Sequence, residues 1–219
     1  MKWNMKKLYL LTFYLLSLFG CEPKQEVIYT GVSNPYFEGS IMEYLRSNDK
    51  NWDLTVEMIE RAGLVDLFEG KVDTLQEITF FAPPAYSIQR FIWESQEQAK
   101  NGYVYESVAD IPVDSCRSYI LRCVVKGKYL KEDIGFRNEQ YRIYDEEQDG
   151  GTEFVTLDGN RLRACLEKSD WKGVPDAGPV SLQLWSITKS ALVDIASPDI
   201  QPHGGVVHAL HYGFEFGKI

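Results

Sequence analysis

Apolar positions along this chain fall into three regimes. Leu8 to Phe19 is a mainly apolar run of 12 residues behind Lys2, Lys6 and Lys7. From there to residue 38 no periodicity appears. Beyond residue 38, apolar residues recur at helical spacing, and after Phe154 they begin to alternate.

The helical part can be read element by element. Ser40 and Glu43 predict a capping box ahead of a helix whose Ile41, Tyr44 and Leu45 share one face. Asp53 is expected to cap a second helix carrying Val56, Ile59 and Ala62, with Gly63 at its C′ position. Leu64 to Phe68 continues as a short helical turn. Ile78 to Ala82 is a β-prone run stopped by Pro83-Pro84, a pair that suits the first turn of a following helix. Ile88, Phe91, Ile92 and Ser95 supply that helix with its stripe. After Asp114, the spacing of Cys116, Tyr119, Ile120, Cys123 and Val124 predicts a helix ending near Gly127.

The second half changes character. Phe154–Leu157 and Asn160–Leu166 flank Asp158-Gly159, a two-residue hairpin signal. Val180–Thr188 and Ala191–Ile195 alternate as strands do, and Val206–Phe216 is expected to close the chain as one or two more. The polar, acidic stretch from Phe136 to Gly151 is expected to be a long exposed loop. Helices first and strands later give an α+β domain, not alternating βαβ units.

The N-terminal run of 12 residues is well short of the roughly 20 that a membrane-spanning helix needs. It ends in Leu18-Phe19-Gly20-Cys21, with no A-x-A-like cleavage site, and so resembles a bacterial lipoprotein signal. The expected organisation is a signal peptide over 1–20, a tether over 21–38 and one domain over 39–219. Cys21 would carry the lipid and hold the protein in the outer membrane, on the periplasmic face or the cell surface. Losing Lys2, Lys6 and Lys7 from the 23 basic residues leaves 20 against 32 acidic ones, a formal charge of −12. So acidic a surface excludes nucleic acid as a partner. Cys116, Cys123 and Cys165 remain. One helix would hold Cys116 and Cys123 roughly 10 Å apart, beyond disulfide reach, so all three are expected as free core thiols.

Several segments together resemble the fasciclin domain family. Thr79-Phe80-Phe81-Ala82-Pro83 resembles its first block, a strand ending in Phe-Ala-Pro before a helix. Gly204-Gly205-Val206-Val207-His208-Ala209 resembles its second, and Thr156-Leu157-Asp158-Gly159 its Thr-Leu-Asn-Gly hairpin. Leu121 to Leu130 resembles its helix followed by Val-Val-x-Gly-x-Tyr-Leu. The resemblance implies a wedge-shaped β-sandwich with helices packed along one side. It departs from the family at Cys123, Gly204 and His211, where histidine, asparagine and aspartate are usual.

Candidate chemistry is sparse. Pro198-Asp199-Ile200 resembles the Asp-Ile element with which some animal fasciclin domains bind receptors. Asp199 and Ile200 are therefore the candidate adhesion residues, set against a plain turn before the last strands. His203, His208 and His211 invite a metal reading. An odd separation on one strand puts His208 and His211 on opposite faces, and His208 is read as a packed structural histidine. Asp145 to Asp149 lacks calcium-loop spacing. Ser169-x-x-Lys172 and Ser186-x-x-Lys189 lack the partner motifs of penicillin-recognising enzymes. No set of nucleophile, base and oxyanion donors assembles, and no cofactor motif appears. Tyr103, Tyr105 and Trp171 fall in expected loops, where exposed rings could stack on sugars. The sequence reads as a noncatalytic adhesion module for a cell-surface protein or glycan. The alternative is a glycan-binding accessory of an outer-membrane uptake system.

Overall fold

The computed structural model of the chain describes residues 34–97 and 104–219. The export signal, Cys21 and Tyr103 lie outside the described residues.

The predicted capping box is present. Ser40 Oγ accepts from Glu43 N at 3.2 Å, and Glu43 Oε2 accepts from Ser40 N at 2.7 Å. Behind it, α1 (Ile41–Ser47) buries Ile41, Met42 and Leu45. The next helix, α2 (Asp49–Arg61), starts earlier than expected, with Asn48 as its cap residue. Asp53 therefore lies inside the helix, where its Oδ1 accepts from Leu54 N at 2.7 Å. Leu64 N to Ile59 O at 3.1 Å and Gly63 N to Glu60 O at 3.0 Å end α2 in a Schellman motif with Gly63 at C′. The short α3 (Val65–Phe68) follows, and α4 (Ala85–Glu97) starts directly after Pro83-Pro84.

Helix α5 (Val113–Leu121) stops six residues before Gly127. The stripe misled because Cys123 and Val124 are apolar for a different reason. Phe81 N donates to Cys123 O at 2.9 Å, and Phe80 pairs with Val124 in the sheet. The pair of β-branched valines, Val124 and Val125, belongs to a strand.

Among the described residues eight strands are present: β1 (Tyr36–Ser40), β2 (Ile78–Ala82), β3 (Val124–Lys126), β4 (Thr152–Val155), β5 (Arg161–Lys168), β6 (Val180–Ser186), β7 (Ala191–His203) and β8 (Gly205–Leu210). They form one sheet in the order β3-β2-β8-β7-β6-β5-β4, with β1 added parallel to β7. Val125 bridges to Thr156, and Leu157 N donates to Val124 O at 2.8 Å. The two ends of the sheet thus meet, giving a curled, nearly closed sheet alongside helices. Because β1 begins at Tyr36, residues 36–38 belong to the folded body and not to the tether.

Strands β2 and β8 run parallel with every residue buried. Both faces are covered, so neither strand alternates in sequence. The expected last strand over Val206–Phe216 ends at Leu210. Phe214, Phe216 and Ile219 are buried outside any strand, with the Phe216 ring 5.2 Å from Tyr119 and 5.6 Å from Phe91. The β4–β5 hairpin is present, but five residues, Thr156 to Asn160, connect its strands instead of two. Gly159 N donates to Thr156 O, and Thr156 N to Asn160 O, both at 2.9 Å.

The acidic stretch up to Gly151 is not a solvated loop. It is a strap over the outer face of β5. Arg163 Nη1 donates to Ile143 O and Asp145 O, both at 3.1 Å. Gln148 Oε1 accepts from Asn138 N at 2.9 Å and Gly150 N at 2.8 Å, and its amide nitrogen donates to Tyr141 O at 3.0 Å. Gly151 passes so close to β5 that a Cβ there would lie 2.4 Å from Cys165 Sγ. The strap is why β5 is buried from Leu162 to Leu166 on both faces.

Cys116, Cys123 and Cys165 are buried and free. Burial pushes the Cys123 thiol up to about 12 and Cys165 to about 11, so neither forms thiolate at neutral pH. Native protein is expected to resist a disulfide reagent at mildly alkaline pH. Denatured, unreduced protein should titrate with these three thiols besides any at Cys21. A single thiol among the three would mean that two of them have paired, against the free, buried state of all three.

Candidate functional site

Strand β7 bends twice as it passes β8. Ile195 pairs with Leu210, Ser197 with Ala209 and Ile200 with Val207, so β7 carries extra residues at two bulges. Pro198 is tolerated there because a bulge frees its position from donating to the ladder. Asp199 occupies the second bulge at φ 64°. It is half-buried within a strand and is not an exposed turn residue. Its Oδ1 accepts from Lys131 N at 2.7 Å, and its backbone N–H donates to His208 Nδ1 at 3.2 Å. Ile200, also half-buried, follows it.

His208 is fully buried in β8. Its Nε2 lies 2.9 Å from Tyr129 O. Since Nδ1 accepts from Asp199, the proton sits on Nε2 and is donated to that carbonyl. The ring stacks on Phe81 at 5.4 Å. Burial holds its pKa below the usual imidazole value, opposed by the Tyr129 carbonyl and the Asp199 carboxylate. A neutral ring with both nitrogens engaged has no lone pair left for a metal and no site free to shuttle a proton. It fastens β8 to the β7 bulge and to the segment at Tyr129.

The other sequence candidates are dispersed. His203 is exposed at the end of β7. His211 is exposed beyond β8, its Nδ1 accepting from Gly213 N at 3.0 Å. Among the described residues, no three His, Cys, Asp or Glu side chains converge on an ion site. Ser186 is buried at the end of β6, where Oγ accepts from Lys189 N, and Ser169 Oγ donates to Pro179 O at 2.9 Å. Tyr105 is half-buried, stacked on Phe91 of α4 at 5.9 Å. Trp171 is 57% exposed, with Lys172 Nζ 5.6 Å above its ring. Tyr105 and Trp171 sit on separate elements and share no ring contact.

Beside the bulge the fold builds something the sequence pattern did not show. Ile200, Leu210 and Tyr212 from the β7–β8 side face Tyr44, Asn51 and Trp52 across a pocket of about 140 Å³. Thr55 Oγ1 donates to Pro83 O at 2.7 Å and ties α2 to the corner before α4, which fixes Trp52 in place. Trp52 is 4% exposed, yet among the described residues its indole N–H has no partner in full hydrogen-bond geometry. The Tyr44 hydroxyl, whose pKa burial raises, is close to that N–H but outside hydrogen-bond geometry. None of the pocket's lining residues is charged. The uncharged aromatic lining is the signal, and it exists only once the helices meet the bulge.

No family model matches the chain, and no curated protein matches it. Among solved structures, the chain is similar to a FAS1 domain pair from the insect cell adhesion molecule fasciclin I, at 8% identity and a TM-score of 0.42. The match covers 81% of this chain and 46% of that one, so the chain spans less than half the length of that protein.

Proposed function

We propose that this protein is a fasciclin-like binding and adhesion module without catalytic role, held at the outer membrane by a lipid on Cys21. One observation carries the binding reading. In the β7–β8 region both ring nitrogens of His208 and one carboxylate oxygen of Asp199 are committed to bonds inside the fold, while Tyr36, Tyr86, Trp93, Trp171 and Tyr212 present large rings to solvent. Exposed rings gain most when a partner covers them. The partner is a cell-surface protein or a glycan. The second reading, a glycan-binding accessory of a nutrient-uptake system, is favoured by the uncharged aromatic pocket beside Ile200.

In adhesion, Asp199 would offer a receptor the oxygen that Lys131 N–H does not hold. Asp199→Ala is expected to cost about 1–2 kcal/mol, since it orphans that partly buried N–H. Full-length protein on beads should attach to cells, and the Asp199 variant should attach less if this element contacts the receptor. Unchanged attachment would remove Asp199 from the contact. Cys21→Ala should move the protein from the detergent to the aqueous phase. A variant that still partitions with detergent, at unaltered mass, would end the lipid-anchor reading.

A further inference from the structure

We infer that the pocket between α1, α2 and the β7 bulge is a subsite for one neutral sugar ring. The inference rests on the binding-module reading and names the ligand class for one surface of it.

Two observations converge. The walls are aromatic: Tyr44 and Trp52 lie 6.4 Å apart at a tilt of 52°, and Tyr212 stands 55% exposed at the rim. Rings so arranged pack against the apolar face of a pyranose. The polar groups are neutral, an amide at Asn51 and hydroxyls at Tyr44 and Ser197. In a protein of net charge −9, a pocket without a single charged lining residue selects against ionic ligands. Pockets for small ligands are mostly apolar, with a few placed polar groups that fix orientation. The β7 bulge, which sets Ile200 and Ser197 at the wall, gives Asp199-Ile200 a second use as the frame of this subsite.

The test titrates full-length protein in detergent with maltoheptaose, cellohexaose, xylohexaose and chitohexaose, read by tryptophan fluorescence. A heparin hexasaccharide serves as the anionic probe. At least one neutral oligosaccharide should bind and heparin should not. Tyr212→Ala, at an exposed position, should weaken that binding at least about fivefold without lowering Tm. Binding to none of the four, binding to heparin alone, or binding indifferent to Tyr212→Ala would overturn the inference. Selection of peptides whose capture is lost in Tyr212→Ala, without sugar binding, would assign the pocket to a protein side chain instead. Cell attachment that survives Tyr212→Ala keeps the module and removes this pocket from it. Pocket-dependent sugar binding by a protein that attaches to no cell does the reverse.

Discussion

Gly205→Ala is expected to cost about 4 kcal/mol or more, most of the margin of a typical domain. A Cβ at Gly205 would lie 1.9 Å from the backbone oxygen of Ile78, and the residue sits at φ 151°. The clash cannot be relieved by turning a side chain, because Ile78 is held by the parallel β2–β8 pairing and by its own bond to Gly204 O at 3.0 Å. Gly204→Ala is the matched control. Gly204 is at φ 84°, but its Cβ would meet nothing nearer than 3.7 Å, so only the left-handed backbone is penalised, by about 1–2 kcal/mol. Urea unfolding of the two variants separates steric exclusion from backbone preference. Equal losses in both would refute the close approach of β2 to β8.

His208→Ala should be nearly as damaging, at about 3–5 kcal/mol, because it opens a cavity against Phe81 and orphans both Tyr129 O and Asp199 N–H. The pH dependence has a defined sign. The folded state holds the imidazole neutral, so the unfolded chain binds the proton first as pH falls. The contribution is full above the ordinary value of 6.5 and is lost below it, toward the lowered folded value. The slope approaches ~1.4 kcal/mol per pH unit for one proton. His208→Phe retains a ring and cannot titrate, so the stability gap between parent and variant should narrow below about pH 6.5. A gap that stays constant on acidification would show the histidine to be charged when folded.

Much of the local structure was legible in the sequence. The capping box at Ser40, the Schellman end at Gly63, the strand before Pro83-Pro84 and the hairpin at Gly159 each depend on residues within a few positions of one another. The burial of the three thiols was legible as well, since cysteine packs as a small hydrophobe wherever an apolar stripe places it. Errors came where one pattern served two structures. Cys123 and Val124 continued a helical stripe but were apolar for β3, and the acidic strap looked solvated because its few buried anchors, Ile143 and Gln148, stand among charges.

The candidate site was decided by tertiary structure. From the sequence, Pro198-Asp199-Ile200 reads as a turn, because proline and aspartate favour one locally. Pairing with β8 stretches that segment into a bulged strand and spends Asp199 on Lys131 and His208. The sequence determined an α+β chain with a buried histidine. That Tyr44, Trp52 and Tyr212 enclose an uncharged pocket follows only from packing two helices against that bulge. Tyr44 and Trp52 sit on consecutive helices, but Tyr212 shares no periodicity with them, and long-range pairing alone brings it to them.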